Sequence, residues 1–308
     1  MSVTSPHTVF VPVHPGPERL TFDTVVKAAE VRRALEAAIA DGRIEPIELV
    51  GARPVDRDDL ARIHDPEYVA AVLDGRPERL AGSNGIGWDP HLFAIAAGSA
   101  GAIRDAALHA IATGGFVGAL STGLHHARRG RGNGYCTFNG LVVAAQAALD
   151  AGARRVLILD VDAHCGGGTA SLIEHMTGVE QLDVSLIGFD IYTSLPGCRL
   201  VMTQPEDYLS TLADELGRVV DPTGIDLVIH NAGMDVHERA GGLTGMTTAV
   251  VAERERMVFG WAARHDLPVA WTLAGGYTST GFDLTDVADL HLLTPAAAIT
   301  ASRAGVAG

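Results

Sequence analysis

Apolar positions along the chain follow two alternating rhythms. Over 24–41 (TVVKAAEVRRALEAAIAD) they recur near every 3.6 residues and stop at Gly42, which predicts an amphipathic helix. Helices are also predicted around 65–74, with Asp65 at the cap and Pro66 in the first turn, and over about 90–112, 139–151, 206–220 and 247–265. Short apolar runs lie between them: FVGAL after Gly115, RVLILD (155–160), LDVSLIG (182–188), DLVIHN (226–231) and PVAWTLAGGY (268–277). RVLILD lacks polar alternation, so it reads as a strand buried on both faces. Strand, crossover helix, strand in repetition predicts an α/β fold with a mainly parallel sheet and helices on both faces. No composition break marks a linker and no repeat is found, so one domain is expected over 1–308.

Composition narrows the function classes. A chain of 308 residues with 47% hydrophobic content can bury a sizeable core. Its formal net charge of −14 speaks against a nucleic-acid partner. The basic cluster Arg128, Arg129 and Arg131 is too small to reverse that, though it would suit local guidance of an anion. No run approaches the roughly 20 apolar residues of a membrane span, and MSVTSPHTVF has no charged region followed by an apolar one. Cys136, Cys165 and Cys198 form no CxxC pair, which suits thiols in a reducing compartment; the cytoplasm is the expected location.

In sheets of this kind ligands gather at the carboxyl ends of the strands. Four polar clusters fall there: LSTGLHHA (120–127), DVDAH (160–164), NAGMD (231–235) and AGGY (274–277). A lone D-x-H or H-H is usually an ordinary polar turn or a satisfied core pair; the shared placement raises the functional reading. Asp162 and His164 are two apart and project to one side of an extended segment. With Asp235 they make three mixed oxygen and nitrogen ligands, and three protein ligands with one open position is the pattern of a catalytic zinc site. One imidazole of His125 and His126 would take a proton from an attacking water and one would protonate a leaving amine. Tyr277 would place a phenol beside a reacting carbonyl.

Together G-x-H-H-A (123–127), G-Y-C-T-F-N (134–139), D-V-D-A-H-C-G-G-G-T (160–169), A-G-M-D (232–235) and G-G-Y (275–277) resemble the histone deacetylase and acetylpolyamine amidohydrolase family. The motifs come in that family's order and spacing, IHDPEYVAAVLDG (63–75) resembles its N-terminal region, and the resemblance runs from about residue 14 to 280. It implies a three-layer arginase/deacetylase-like fold with a central, mainly parallel eight-stranded sheet. It also implies a zinc-dependent amidohydrolase that removes an acyl group, foremost acetyl, from acetyl-lysine, an acetylated polyamine or a small metabolite amide. Carried over by motif, Asp162, His164 and Asp235 hold one Zn2+ per chain. His125 and His126 are the tandem histidines, with His126 the favoured proton shuttle. Tyr277 polarises the carbonyl, and Asp160 accepts a bond from His125 and fixes its tautomer. Gly134, Tyr135 and Gly276 are expected at the substrate channel. The resemblance further implies a structural K+ near Asp160 and Ser185.

The chain departs from the family where the residues after D-A-H read Cys165, Gly166, Gly167, Gly168. Gly167 takes the place of the Asn or Asp that normally bonds the second histidine, so His126 is expected to be less well oriented unless water or Asn133 substitutes. Cys165 and Cys136 read as small buried hydrophobes. No second aspartate follows Asp235 at i+2, which favours one metal, and His237 and Glu238 read as loop residues. The other histidines, His64 and His230 among them, read as structural. Asp89 in AGSNGIGWDPH is a candidate to receive a substrate amide or ammonium, against the plainer reading of a helix cap. Two alternatives stand beside the deacylase: a non-catalytic metal- or ligand-binding relative, suggested by Gly167 and Cys165, and a dinuclear manganese ureohydrolase, disfavoured by the missing carboxylates. An acylated amine or other small molecule is the expected partner, with no nucleic acid and no membrane; homo-oligomerisation stays open.

Overall fold

A computed structural model describes residues 7–306, with side chains to 303; part of the N-terminal stretch read above for a leader, residues 1–6, lies outside it. Eight strands, β1 (Thr8–Pro12), β2 (Glu48–Ala52), β3 (Phe116–Ala119), β4 (Val156–Asp160), β5 (Val179–Ser185), β6 (Cys198–Met202), β7 (Leu227–Gly233) and β8 (Val269–Ala274), form one sheet in the order β2-β1-β3-β8-β7-β4-β5-β6. Every ladder is parallel. Among the described residues eleven α-helices cover it: α1 (Asp23–Ala40), α2 (Arg57–Ile63), α3 (Pro66–Asp74), α4 (Glu78–Ala81), α5 (Leu92–Thr113), α6 (Gly140–Asp150), α7 (Gly167–Ile173), α8 (Tyr208–Gly217), α9 (Thr248–Arg264), α10 (Leu284–His291) and α11 (Leu293–Val306). Among the described residues no helix is long and apolar enough to cross a membrane.

Strand period 2 divides the core into two layers. Leu157 and Leu159 of β4 face one cluster with Val258, Phe259 and Val287, while Val156 and Ile158 face the other with Ile103, Leu141 and Ala144. Both faces are thus covered, which is why β4 reads as a continuous apolar run. At the centre β3 and β8 approach closely, and Gly118 pairs with Trp271. A Cβ on Gly118 would lie 2.2 Å from Trp271 Cζ2. Gly118→Ala is therefore expected to destabilise by about 1–3 kcal/mol through overpacking, read by urea titration. A loss below ~0.5 kcal/mol would mean the indole can move aside.

The expected elements appear with shifted ends. The run read as a strand at 182–188 leaves the sheet at Ser185, because the amides of Leu186 and Ile187 turn to Ala163 O at 3.0 and 2.7 Å. The helix expected from 206 begins as a 3-10 turn, Pro205–Asp207, and becomes α-helical at Tyr208. Asp65 occupies the N-cap of α3 without capping by its side chain; the carboxylate pairs with Arg129 at 2.9 Å.

Candidate active site

The four strands at the middle of the sheet, β3, β8, β7 and β4, deliver the four polar clusters to one end. Between chain-consecutive β3 and β4 the sheet order is interrupted by β8 and β7, so the cleft opens where neighbouring connections diverge.

Asp160 ends β4 fully buried, and Asp162 and His164 follow in the bend just beyond it. Asp235 comes from the turn after β7. One ligand atom from each of Asp162, His164 and Asp235 lies within 4.8 Å of the others, so these three residues could hold a metal ion. His164 Nδ1 faces both carboxylates, 3.0 Å from Asp235 Oδ2 and 3.3 Å from Asp162 Oδ1. Burial pushes the Asp162 carboxyl up, but the surrounding imidazoles, His125 foremost, outweigh it and hold it well below the carboxylate range. Desolvation likewise opposes charge on His164, yet the two carboxylates lift its imidazole to about 11. Concentrated negative charge of this kind, with one nitrogen and two carboxylate donors, fits a divalent cation. Cys165 is no part of the group: its Sγ turns to Met202 Sδ at 3.5 Å.

The tandem histidines stand over this triad with rings 3.8 Å apart. His125 Nδ1 donates to Asp160 Oδ2 at 2.8 Å, and Asp160 Oδ1 accepts from Asn231 Nδ2 at 2.9 Å, so the ring's orientation is held. Desolvation works against charge on His125, but Asp160 and Asp162 raise it to about 10. His126 takes the opposite course, lowered to about 4 by desolvation and by the charge on His125. Its Nδ1 lies 3.0 Å from Asp190 Oδ2. Gly134 (φ +48°) lets the chain pass the imidazole, since a Cβ there would sit 2.4 Å from His126 Cδ2.

Tyr277 follows the glycine pair that ends β8. Lys27 of α1, buried and lowered to about 8 by desolvation, donates to Gly275 O and Gly276 O, tying that turn to the helix. Tyr277 N donates to Ala240 O at 2.9 Å. Burial and the nearby carboxylate of Asp235 push the phenol well above its ordinary range, so it stays protonated as a donor. Tyr277, His125, His126, Asp162 and Asp235 all border one inner cavity of about 20 Å3, room for a single water.

Outward from His164 and Tyr277 a cleft of about 1010 Å3 opens between Phe22, Tyr135 and Phe189. Phe22 and Tyr135 pack in a tilted pair with centroids 4.4 Å apart, and Phe189 meets His126 edge-on at 4.9 Å. Gly134 and Tyr135 line this cleft. Gly276 does not; it is buried beneath Tyr277 against Met234 and His291, where it shapes the turn. Asp89 is also misplaced by the sequence reading. It is fully buried, and its carboxylate accepts from the amides of Glu18, Arg19 and His91 at 3.1, 2.8 and 2.8 Å. Spent on the loop that carries Phe22, it has no lone pair aimed at a substrate. Arg128 and Arg129 are likewise engaged, with Asp190 and Asp65, rather than free to guide an anion.

Four residues without a motif also shape the site: Lys27, Asp190, Phe189 and Arg254. His64, read as structural, supports it from below. Its Nε2 accepts from Asn139 N at 3.0 Å and its Nδ1 donates to Arg128 O at 2.9 Å, bracing the histidine loop against α6. That role requires neutral imidazole, and desolvation lowers His64 to about 4. A histidine lowered in the folded state gives stability that is complete above its unfolded value of 6.5 and fades as pH falls toward 4. Acidification across that window should cost about 3 kcal/mol through this residue. Urea titrations of parent and His64→Gln check it: an equally steep acid limb in the variant would refute it.

The chain matches the histone deacetylase domain over residues 24–288. An uncharacterised protein of Picosynechococcus is 30% identical over 254 residues, covering 80% of this chain and 84% of its own. A probable deacetylase of Methanothermobacter thermautotrophicus is 26% identical over 284 residues, covering 83% and 82%. In structure, the HD domain of HDA15 superposes with a TM-score of 0.73 at 21% identity, over 98% of this chain and 93% of that one, which supports the three-layer arginase/deacetylase fold. The protein belongs to the histone deacetylase family, whose members are metal-dependent hydrolases of acylated amines.

Proposed function

We propose that this protein is a zinc-dependent deacylase acting on a linear acylated amine, foremost an acetyl amide of lysine, a polyamine or a small metabolite. The observation that carries the reading is the convergence of Tyr277, both tandem histidines and two carboxylates of the metal triad on one water-sized cavity at the floor of an aromatic cleft. Binding a metal alone requires neither the phenol nor the histidine pair.

Asp162, His164 through Nδ1 and Asp235 would hold the ion, which when bound lowers the pKa of water and polarises a carbonyl. The amide-bearing chain passes between Phe22, Tyr135 and Phe189, so its acyl end reaches the floor and bulk water is displaced. His126, kept neutral, takes a proton from the attacking water at Nε2 and returns it to the departing amine nitrogen. His125, held charged by Asp160, stays a fixed positive neighbour. Tyr277 Oη donates to the carbonyl oxygen as it gains charge.

The test is acid release from acetyl-lysine peptides, acetylated diamines and simple formyl and acyl amides, with zinc-loaded protein and His126→Ala beside it. Turnover that falls by about 10²–10⁴ in the variant is expected. Absence of divalent metal in the purified protein, or an unchanged rate in the variant, would sink the reading. A metal stoichiometry near two would favour the dinuclear alternative; among the described residues only one ligand group of this kind is present.

A structural K+ belongs to the same proposal. Asp183 is buried beside Asp160, and desolvation and that neighbouring carboxylate push it up to about 8. Ser185 Oγ stands against Asp183, and the buried oxygens Gln181 Oε1 and Asn231 Oδ1 have no hydrogen-bond partner. Oxygen donors short of positive charge suit a hard cation. Tm is expected to rise by about 2–4 °C, the shift of ~1 kcal/mol, when tetramethylammonium is replaced by potassium. Equal Tm values in the two salts would remove the ion from the proposal.

A further inference from the structure

Gly167 leaves the second histidine without its usual sequence-adjacent acceptor, but the acceptor has been supplied from elsewhere in the fold. We propose that Asp190 is the positioning residue for His126, holding the imidazole in its Nδ1–H tautomer so that Nε2 faces the reacting water. This rests on the deacylase reading above and goes beyond it, because no motif assigns Asp190.

Three contacts and the room left at Gly167 carry the assignment. Asp190 Oδ2 accepts from His126 Nδ1 at 3.0 Å and from Gly168 N at 3.0 Å. Oδ1 is paired with the Arg128 guanidinium, so the carboxylate is pinned on both oxygens. The side chain is only 4% exposed. A Cβ on Gly167 would lie 2.2 Å from Asp190 O and 3.0 Å from its carboxyl carbon, so Asp190 fills the space a side chain at 167 would claim. Glycine at 167 is therefore what admits Asp190. No positive φ is recorded for Gly167, so its requirement is one of room rather than of backbone freedom.

The loop that bears Asp190 is strapped to the segment that bears the metal ligands. Leu186 N and Ile187 N donate to Ala163 O, and Cys165 N donates to Phe189 O at 3.0 Å. Movement of Asp162 and His164 therefore carries Asp190 and Phe189 with it, and the distance from ligand to proton shuttle is kept. Asp190 itself sits at φ +58°, a left-handed backbone that Asp tolerates better than most residues and that ordinarily carries a cost. His126 and Arg128 are the partners that hold it there. Asn133, the substitute weighed from the sequence, instead closes a turn with Cys136 through its backbone.

Three variants of the zinc-loaded protein test this: Asp190→Ala, the isosteric Asp190→Asn and Gly167→Ala, which keeps the carboxylate but pushes its loop away. Expected is a fall in kcat of about 10–100-fold for Asp190→Ala and Gly167→Ala, with KM within about threefold and metal near one per chain. Asp190→Asn, which keeps one acceptor oxygen, should fall between them and the parent. Selective 15N labelling of histidine reads the tautomer directly: the parent should show a protonated Nδ1 on His126, and Asp190→Ala a mixture. If His126→Ala is inactive while the Asp190 variants keep the parent kcat and the parent tautomer, the proposal is overturned and the deacylase reading stands. If the parent hydrolyses no amide, the deacylase reading falls, and the 15N spectra alone decide whether Asp190 sets the tautomer. Should Asp190→Ala fail to fold, the isosteric Asp190→Asn provides the same decision.

Discussion

Tyr277→Phe should lower kcat on an acyl amide by about 10²–10³, the usual cost of removing one preorganised oxyanion donor. Tyr277 is half-buried, and Lys27 and Ala240 fix the turn that presents it from two sides. Desolvation, and after it the carboxylate of Asp235, keeps it protonated, so it can donate across the whole working pH range. Tyr277 is not among the three residues placed to hold the ion, so metal content should stay at one per chain. Steady-state rates with metal analysis separate the possibilities. A fall in kcat at constant metal content and near-constant KM is expected. A loss confined to KM would place Tyr277 in ground-state binding, and parent-like kcat would remove it from the chemistry.

Arg254→Met should cost about 3–5 kcal/mol of stability and weaken metal binding by about 10–100-fold. Arg254 of α9 is fully buried beneath the sheet end. Its Nη1 donates to Val161 O at 3.1 Å and Gly233 O at 2.6 Å, clamping the ends of β4 and β7 just before Asp162 and Asp235. Tyr208 adds a bond to Val161 O at 3.2 Å. The charge is balanced by Glu255, which Arg254 and His230 hold down to about 2 against desolvation. Removing the guanidinium alone strands a buried carboxylate and frees two carbonyls that set the spacing of metal ligands on different strands. Urea titration gives the first effect and competition with a chelator the second. The double variant Arg254→Met/Glu255→Met should regain part of the stability, because the stranded charge is gone, but not the metal affinity. Unchanged affinity in Arg254→Met would show that β4 and β7 hold their ligands without the clamp.

Much of this fold is legible along the chain because central parallel strands are covered on both sides. Val156–Leu159 of β4 and Leu227–Ile229 of β7 are unbroken apolar runs that end in the polar residues of the site, whereas β1, β2 and β6 went unread. Edge strands β2 and β6 have half-buried positions and mixed composition, so nothing separates them from loop in a linear pattern. The metal ligands are legible for a related reason. Asp162 and His164, Asp235 and Tyr277 all stand just past the ends of readable strands.

What the sequence by itself determined is therefore the alternation that builds the sheet, the D-x-H segment, the histidine pair and the phenol, all of them features whose geometry is set within a few residues. Tertiary structure alone decided which buried charges serve them. Lys27, Asp190 and Arg254 sit in stretches that read as ordinary solvated helix or loop, yet each side chain is taken out of solvent where a carbonyl or imidazole from a distant segment pairs with it. The gap at Gly167 shows the limit most directly. A hydrogen bond needs an acceptor about 3 Å from the donor and is indifferent to where in the chain that acceptor was encoded.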